Sequence, residues 1–573
     1  MARVWRATGA ALLALVCVVQ SPAFADAGKQ APAKPPGYAV ASAHPLATKA
    51  GLDVMAAGGN AFDAAVAVTA AIAVVEPTGS GIGGGGFWLL HREADHFDTM
   101  VDGREVAPMA ATASMYLDKD GKAIDLASRD GALAAGIPGE PAALEYLAKK
   151  FGKLPLTKTL APAIRYAREG FPADEKLIRA IDHGQKRFSP AARAVFLPND
   201  KVPTPGQIIK QPDLAVVLQR IADKGAKGFY RGETAAKLLA GVRADGGIWS
   251  DEDLRRYTAV ERQPITTHFR DYTLVTTPPP SAGGLLLAQV LQQLEILGWT
   301  ENHDAVSTHY VVEALRRAYH DRAAYLGDPD FVNIPLTRLA SRSYAEAQAK
   351  TIKPDQATPS SSLAQTGAQA TEGGQTSHFS IIDADGNRVA ATMSINLSFG
   401  SSYMAPGTGV MLNDEMDDFA ASTTASNAYG LIGSEANLVA PRKRPLSTMT
   451  PTFVEGPRGV LVLGTPGGSR IATMVLLGIL NFVDGADAKT VVSAPRYHHQ
   501  YLPDVVQFEP GAFSAEEQTQ LRAMGYNLRP LDSGYGNLQA VLWDVKGNRL
   551  EAAADPRGVG SGEVVLKAAA KAH

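Results

Sequence analysis

The sequence has little of several features that define whole classes of protein. Its 573 residues contain a single cysteine, Cys17, which excludes a disulfide scaffold and a cysteine-ligated metal centre. The formal net charge is only -3, so there is no basic field to hold nucleic acid. Beyond residue 25, no stretch reaches the roughly 18 uninterrupted apolar residues of a membrane-spanning helix. A globular protein remains, long enough to bury a large core.

The first 25 residues have the pattern of a secretory signal peptide. Two arginines precede an apolar run over residues 10–19, and Ala23-Phe24-Ala25 is a small-x-small cleavage site. The run is too short to span a bilayer. We therefore expect the mature chain to begin after Ala25 and to contain no cysteine. The alternative is a buried N-terminal helix.

The first part of the mature chain is dominated by helical patterns. Residues 61–75 are apolar on nearly every face, which predicts a buried helix, and Asn60 is suited to cap it. A glycine run over 81–86 and a predicted strand over 87–91 come next. Helical patterns then continue from about residue 130 to 350.

The composition changes before Thr376. Residues 353–375 contain almost no aliphatic side chain, which predicts a linker. From Thr376 onward strand patterns prevail. They begin with a hairpin whose strands run over 378–383 and 388–395 around an Asp385-Gly386 turn. The chain is thus predicted to be helix-rich first and strand-rich afterwards.

Several motifs that could suggest nucleotide binding, metal binding or serine catalysis are better explained in other ways. The glycine run follows a helix and precedes a strand, the reverse of a dinucleotide fingerprint, so close backbone packing is the better interpretation. His498 and His499 are adjacent and their side chains diverge, which favours structural roles over one shared metal ion. Asp417 and Asp418 diverge for the same reason, so we expect one of them to meet a ligand. A G-x-S-x-G elbow is missing, which leaves an ordinary serine hydrolase unsupported.

Thr376 suggests a different kind of nucleophile. A threonine at the first position of a chain can use its own α-amine as the base, because that amine titrates near pH 7.7–8.0. A cut at the end of the predicted linker would create such a residue at the start of a strand. Threonine is also common in strands, so the pattern alone leaves an ordinary structural role open.

Several long segments resemble those of one family, in that family's order. They include VVEPTGSGIGGGGFWL, LNDEMDDF and GTPGGSR, and together they lie at 41–65, 74–89, 101–105, 325–336, 412–419, 444–452, 464–470 and 494–504. The sequence QTSHFS at 375–380 resembles the processing site of the same family. That family is the gamma-glutamyltransferases (gamma-glutamyl transpeptidases), which are N-terminal-nucleophile hydrolases.

The resemblance implies an α+β fold, a four-layer αββα sandwich with Thr376 at the start of a core strand. It also implies a precursor that cuts itself before Thr376. The expected products are a large subunit, residues 26–375, and a small catalytic subunit, residues 376–573, which remain together as a heterodimer in one structural domain. The resemblance implies no cofactor, no metal and no nucleic-acid partner. Without an anchor, a bacterial periplasm fits the secretory pattern best, and an extracellular location is the alternative.

The catalytic roles implied by the resemblance fall on four residues. Thr376 matches the nucleophile, with its α-amine as the base. Ser394 stands where the family usually has a threonine that hydrogen-bonds the nucleophile, and it keeps the hydroxyl. Gly467 and Gly468 match the residues whose backbone N–H groups hold the oxyanion.

The resemblance also assigns the substrate-binding residues and a lid. Arg104, Ser447 and Thr448 match the groups that hold the substrate α-carboxylate. Those that hold the α-ammonium are Asn396, Glu415 and Asp418. Glu415 is Gln in many bacterial members, and the carboxylate adds negative charge beside the ammonium. Residues 419–443, with Tyr429, resemble a lid that some bacterial members have.

The reaction implied is attack on a γ-glutamyl amide such as that of glutathione. A γ-glutamyl ester of Thr376 forms, and water or the amine of an amino acid or dipeptide then takes the acyl group. Two other functions compete with this one. A related acylase would cleave glutaryl groups, which lack the ammonium that Asp418 would meet. A periplasmic peptide-binding protein would have no reason to split into two chains.

Overall fold

The structure is a computed structural model that describes Met1 and residues 34–300, 302, 304–363, 376–420, 427–431 and 434–567. The predicted signal peptide after Met1, the end of the predicted linker and part of the predicted lid lie outside the described residues. Within the described ranges, no helix combines the length and the apolar character needed to cross a membrane. The described residues from Lys34 onward form one compact unit.

The strands are, in chain order, β1 Gly37–Ser42, β2 Gly85–Arg92, β3 Phe97–Asp102, β4 Phe171–Pro172, β5 Ile208–Ile209, β6 Val260–Arg262, β7 Ile265–Phe269, β8 Tyr272–Thr276, β9 Ser377–Ile382, β10 Arg388–Ser394, β11 Thr452–Gly456, β12 Gly459–Gly464, β13 Tyr497–His498, β14 Val506–Phe508, β15 Leu528–Pro530, β16 Gln539–Asp544, β17 Arg549–Ala554 and β18 Ser561–Leu566.

The α-helices are, in chain order, α1 Pro45–Ala56, α2 Ala61–Val75, α3 Glu140–Lys150, α4 Leu156–Thr159, α5 Ala161–Glu169, α6 Glu175–Gly184, α7 Pro190–Phe196, α8 Pro212–Lys224, α9 Lys227–Tyr230, α10 Gly232–Ala244, α11 Asp251–Arg256, α12 Gly283–Ile296, α13 Ala305–Tyr325, α14 Leu336–Leu339, α15 Arg342–Ala349, α16 Ile471–Val483, α17 Ala488–Ser493 and α18 Ala515–Ala523.

Two antiparallel sheets lie face to face between two layers of helices. The seven-stranded sheet has the order β18-β1-β9-β10-β2-β3-β6, and the six-stranded sheet has the order β17-β16-β12-β11-β8-β7. Helices α1 and α2 pack on the outer face of the first sheet, and α12, α16 and α17 pack on the second. Strands β9 and β10 face β12 and β16 across the middle. The predicted αββα sandwich of α+β class is confirmed.

The helix-rich and strand-rich parts of the chain are not separate in space. Strand β9 pairs with β1, and β10 pairs with β2, so the hairpin after Thr376 completes a sheet begun before residue 103. Strand β11 likewise pairs with β8 in the second sheet. The expectation of helices first and strands later was therefore only partly right, because local composition does not report which distant strands will pair.

Alternate residues of β9 face two different cores, as the period of a strand requires. Phe379 and Ile381 lie with α2 in the core outside the seven-stranded sheet. His378 and Ser380 point between the sheets, where the hydroxyl of Ser380 donates to the carbonyl of Gln539 at 3.1 Å. Burial lowers the pKa of His378 to about 3, so its ring is neutral at physiological pH. This packing on both faces fixes the strand that Thr376 precedes.

The glycine run packs its backbone against other backbone, as the sequence predicted. A Cβ on Gly83 would lie 2.0 Å from the carbonyl oxygen of Met411, and one on Gly84 would lie 2.1 Å from that of Ser394. Real Cβ atoms essentially never come this close to another atom. The glycines therefore let β2 and its approach lie directly on the end of β10, where Ser394 is.

This packing predicts opposite outcomes for two substitutions in the same run. Gly84→Ala places its Cβ against the Ser394 carbonyl, so β10 must shift, at a cost of at least the ~1–3 kcal/mol of an overpacked core. Gly81→Ala meets nothing closer than 3.7 Å and is the matched control. We expect the melting temperature to fall clearly for Gly84→Ala and to stay near the wild-type value for Gly81→Ala. Equal melting temperatures would contradict the backbone-packing explanation.

Candidate active site

The predicted site residues come together around one small buried cavity. It opens where β9 begins and β10 ends. The predicted residues that line it are Arg104, Thr376, Ser394, Asn396, Glu415, Asp418, Tyr429, Ser447, Thr448 and Gly468. Gly467 lines the adjoining cleft instead. Segments separated by more than 300 residues therefore meet at one place.

Thr376 has a hydroxyl partner at the adjacent strand end. Its side chain is buried, and its Oγ1 lies 3.2 Å from Oγ of Ser394. The Ser394 oxygen also accepts the N–H of Asn396 at 2.8 Å, which orients the hydroxyl. Asn396 itself has a φ of 73°, a left-handed conformation that asparagine tolerates better than most residues. The role expected for Ser394 thus fits its position.

Tyr429 closes the cavity from the side of the predicted lid. Its hydroxyl donates to Oδ1 of Asn396 at 2.5 Å, and its backbone carbonyl accepts from Nε2 of Gln500 at 3.1 Å. Its ring lies directly on Gly468, where a Cβ would be 2.4 Å from the ring. Burial raises the pKa of Tyr429 well above its ordinary value. The tyrosine therefore stays a neutral hydrogen-bond donor over the site.

The glycine pair lies at a sharp turn before a helix. Gly467 has a φ of 138° and Gly468 a φ of 57°, which are conformations that favour glycine. Gly468 begins the 3-10 turn Gly468–Arg470, and α16 follows directly. Backbone N–H groups at the start of a helix suit an anion. Gly468 reaches the cavity with Thr376, whereas Gly467 faces the cleft beside it.

A buried charge cluster forms the far wall of the cavity. Arg104 donates from Nη1 to Glu415 and from Nη2 to Asp418, each at 2.5 Å, and from Nε to the carbonyl of Pro445 at 3.2 Å. Its Nη1 also lies 3.5 Å from Glu105. Sequence analysis assigned Arg104 and Asp418 to opposite charges of the substrate, and the structure adds that they pair with each other.

Burial makes the carboxyl groups of this cluster hold their protons tightly. Burial raises the pKa of Glu415 well above its ordinary value and raises that of Asp418 as well, while Arg104 opposes both shifts. Burial also raises the pKa of Glu105 to about 8. Three acids around one guanidinium carry an excess of negative charge if all are ionised. A cationic ligand group placed beside these acids would favour their ionised forms, because its charge takes the place of the bound protons.

The paired motifs of the sequence separate as expected. Asp418 reaches the cavity, whereas Asp417 turns away to accept from Ser128 at 2.6 Å. Both lie on the 3-10 turn Glu415–Asp418. His498 bonds Thr473 through Nδ1 at 2.9 Å. His499 bonds Asp504 through Nε2 at 3.2 Å. Both imidazoles thus have protein partners of their own.

One charged residue of the cavity wall was missed by the sequence analysis. Arg322, on α13, lines the cavity together with the predicted residues. It lies three residues before the segment at 325–336 that carried part of the resemblance, and in a helix with buried residues on every face. A buried arginine on such a helix was the available signal.

Thr376 stands at the head of a central strand in a four-layer sandwich, and this arrangement defines the class of the N-terminal-nucleophile hydrolases. Comparison with known proteins narrows the class. The family model described as Gamma-glutamyltranspeptidase matches residues 47–565. The chain belongs to the gamma-glutamyltranspeptidase family.

Proteins of similar sequence and structure support this family assignment. A glutathione hydrolase proenzyme from Pseudomonas sp. (strain A14) is 43% identical over 506 residues, 87% of this chain and 88% of that relative. A second, from Escherichia coli (strain K12), is 39% identical over 527 residues, 91% of this chain and 90% of the relative. The crystal structure of cephalosporin acylase from Bacillus halodurans matches with a TM-score of 0.81 at 28% identity, covering 96% of this chain and 99% of the other.

Because the carboxyl of Glu415 is buried, we predict that Glu415→Gln stabilises the fold relative to wild type, and more so as the pH rises. In the folded wild type, the Glu415 carboxyl keeps its proton above pH 4.5, the ordinary pKa of a glutamate. In the unfolded chain the same carboxyl releases that proton. Folding stability therefore falls as pH rises through that window, by up to about 1.4 kcal/mol per pH unit. The amide does not titrate, and its oxygen still accepts from Arg104.

Melting temperatures at pH 5 and pH 8.5 test this. We expect the difference between Glu415→Gln and wild type to grow in favour of the variant at the higher pH. Glu346→Gln, at a position exposed on α15, is the control and should show no such trend. A pH-independent difference for Glu415→Gln would mean that this carboxyl is ionised in the folded protein.

Proposed function

We propose that this protein is a self-processing gamma-glutamyltransferase that cleaves the γ-glutamyl amide of glutathione and related compounds. The observation that carries the proposal is Thr376, buried at the head of β9 with its hydroxyl 3.2 Å from that of Ser394, in a cavity whose opposite wall is charged. The names of its relatives, glutathione hydrolase proenzymes, support the same activity.

The first step is the cut that creates the N-terminal threonine. The hydroxyl of Thr376 attacks the carbonyl carbon of residue 375, the peptide nitrogen leaves as an amine, and water hydrolyses the resulting ester. The products are a large subunit, residues 26–375, and a small subunit, residues 376–573. They remain together because each of the two large sheets contains strands from both products.

The freed α-amine then serves as the base for catalysis. It takes the proton of the Thr376 hydroxyl as the oxygen attacks the γ-carbonyl of the substrate. Backbone N–H groups of Gly467 and Gly468 stabilise the oxyanion. The leaving amine takes the proton, and a γ-glutamyl ester of Thr376 remains. Water or an acceptor amine resolves the ester in the second half of the reaction.

The charge cluster selects the γ-glutamyl group by both charges of its α-carbon. Arg104, Ser447 and Thr448 hold the carboxylate. The ammonium lies against Asn396, Glu415 and Asp418. Because the two charged groups are bonded to the same carbon of the substrate, a guanidinium and a carboxylate that touch each other are suitably spaced to receive them.

The leaving group and the acceptor use the larger cleft beside the cavity. This cleft has a volume of about 500 Å³, and it adjoins the site at Tyr429 and Gly467. Arg470 and Arg529 are on its walls, and the guanidinium of Arg470 lies 4.6 Å from the ring centroid of Tyr535. Two guanidinium groups suit the carboxylate of an amino acid or dipeptide.

The signal pattern of residues 1–25 supports a periplasmic location.

Self-cleavage is the first test of this function. The wild type should run on a denaturing gel as two fragments, and the smaller one should begin at Thr376 by N-terminal sequencing. Thr376→Ala, which has no hydroxyl, should remain one chain, and Thr376→Ser, which keeps it, should still be cut. If the alanine variant is cut at the same bond, another protease does the processing.

Asp418→Asn tests glutamyl specificity against the glutaryl alternative. Removing one partner of a desolvated charge pair costs about 2–5 kcal/mol, so kcat/KM for a γ-glutamyl anilide should fall at least roughly 30-fold. The glutaryl anilide has no ammonium, and its kcat/KM should be unchanged or higher. An equal fall for both would show that Asp418 only maintains the site, and the glutamyl assignment would lose its main support.

A further inference from the structure

Arg322 has a buried guanidinium that pairs with no group among the residues that the structure describes. Its side chain is 5% exposed, and its Nε is buried without a hydrogen bond. Across the residues that the structure describes, no hydrogen bond or ion pair involves any nitrogen of its guanidinium. The group borders the catalytic cavity and also a small neighbouring recess, and Asp418 lines both.

The neighbouring arginines of the same helix show how unusual this is. Arg316 bonds Glu313 and Asp504, and Arg317 bonds Glu313 at 2.7 Å. A buried charge is costly unless it is paired. Burial lowers the pKa of Arg322 to about 10, while the charge of Asp418 opposes the shift. Arg322 is still a cation at physiological pH, and it faces a cavity that receives an anion.

Arg104 is already occupied in this state of the protein. Each of its three guanidinium nitrogens donates to a protein oxygen, two of them to carboxylates. A substrate carboxylate that approaches Arg104 alone would find every nitrogen of its guanidinium already engaged. A second cation on the wall of the same cavity gives that carboxylate a further partner.

We propose that Arg322 is a second binding group for the α-carboxylate of the γ-glutamyl substrate, acting with Arg104 from the wall of the same cavity. The proposal rests on the proposed function, because it assigns a further residue to the same subsite. It assigns to Arg322 contact with substrate and no part in bond breaking. The carboxylate would supply the partner that Arg322 does not have among the described residues.

Three acyl donors separate the possible roles of Arg322. The γ-glutamyl anilide carries both the α-carboxylate and the α-ammonium. The glutaryl anilide has the carboxylate without the ammonium, and the 4-aminobutanoyl anilide has the ammonium without the carboxylate. Processed wild type and Arg322→Gln are compared on all three. Competitive inhibition by L-glutamate, glutarate and 4-aminobutanoate gives the same comparison without turnover.

We expect Arg322→Gln to lower kcat/KM for the two carboxylate-bearing donors at least roughly 30-fold, mainly through KM. Its effect on the 4-aminobutanoyl donor and on 4-aminobutanoate inhibition should be under about threefold. Arg322→Lys keeps the charge and should recover part of the loss; it also serves if the glutamine variant does not fold. Arg317→Lys, on the same helix but bonded to Glu313, is the control for packing and should leave the ratios unchanged.

Two outcomes overturn the proposal. If the loss follows the ammonium, so that the glutaryl donor is unaffected, Arg322 acts only by positioning Asp418. If all three donors and all three inhibitors weaken equally, Arg322 is structural. Failure of the proposed function itself looks different, because the wild type would then fail to turn over the γ-glutamyl anilide at all.

Discussion

The pairing of β9 and β10 between β1 and β2 is the constraint on which the rest of the site depends. Thr376 precedes β9 and Ser394 ends β10, so the register of this hairpin places the two hydroxyls side by side. The register is fixed on both edges by strands from the first hundred residues, and on both faces by buried side chains. The glycines before β2 let that strand approach closely enough to hold the end of β10 in place.

The selection of a charged ligand by this site depends on a second constraint, the burial of Arg104 away from solvent. In water, three acids and one guanidinium would cost little to bring together. Inside the protein each uncompensated charge is expensive, so protons and ligands decide how the cluster is balanced. In the proposed function, the ammonium of a γ-glutamyl substrate adds a positive charge beside these acids, which a glutaryl group cannot do.

Sequence reasoning predicted the elements that local patterns determine. Helix α2 was predicted at its observed bounds because Asn60 and an apolar surface on all sides define it locally. The hairpin after Thr376 was within a residue of its observed ends, since an Asp-Gly turn fixes it. The contact of Arg104 with Glu415 could not be predicted, because more than 300 residues separate the two. The placement of Arg322 beside Asp418 depends in the same way on how α13 packs, which no periodicity reveals.

The strand order of the seven-stranded sheet has a consequence for assembly. A cut before Thr376 leaves β1, β2, β3 and β6 in one product and β18, β9 and β10 in the other. Strand β1 is then held between two strands of the second product, and neither product keeps either of the two large sheets whole. Each polypeptide acts as the template for the other. After such a cut the two polypeptides would still form one folded unit. Separate synthesis of the two halves would leave each with unpaired strand edges.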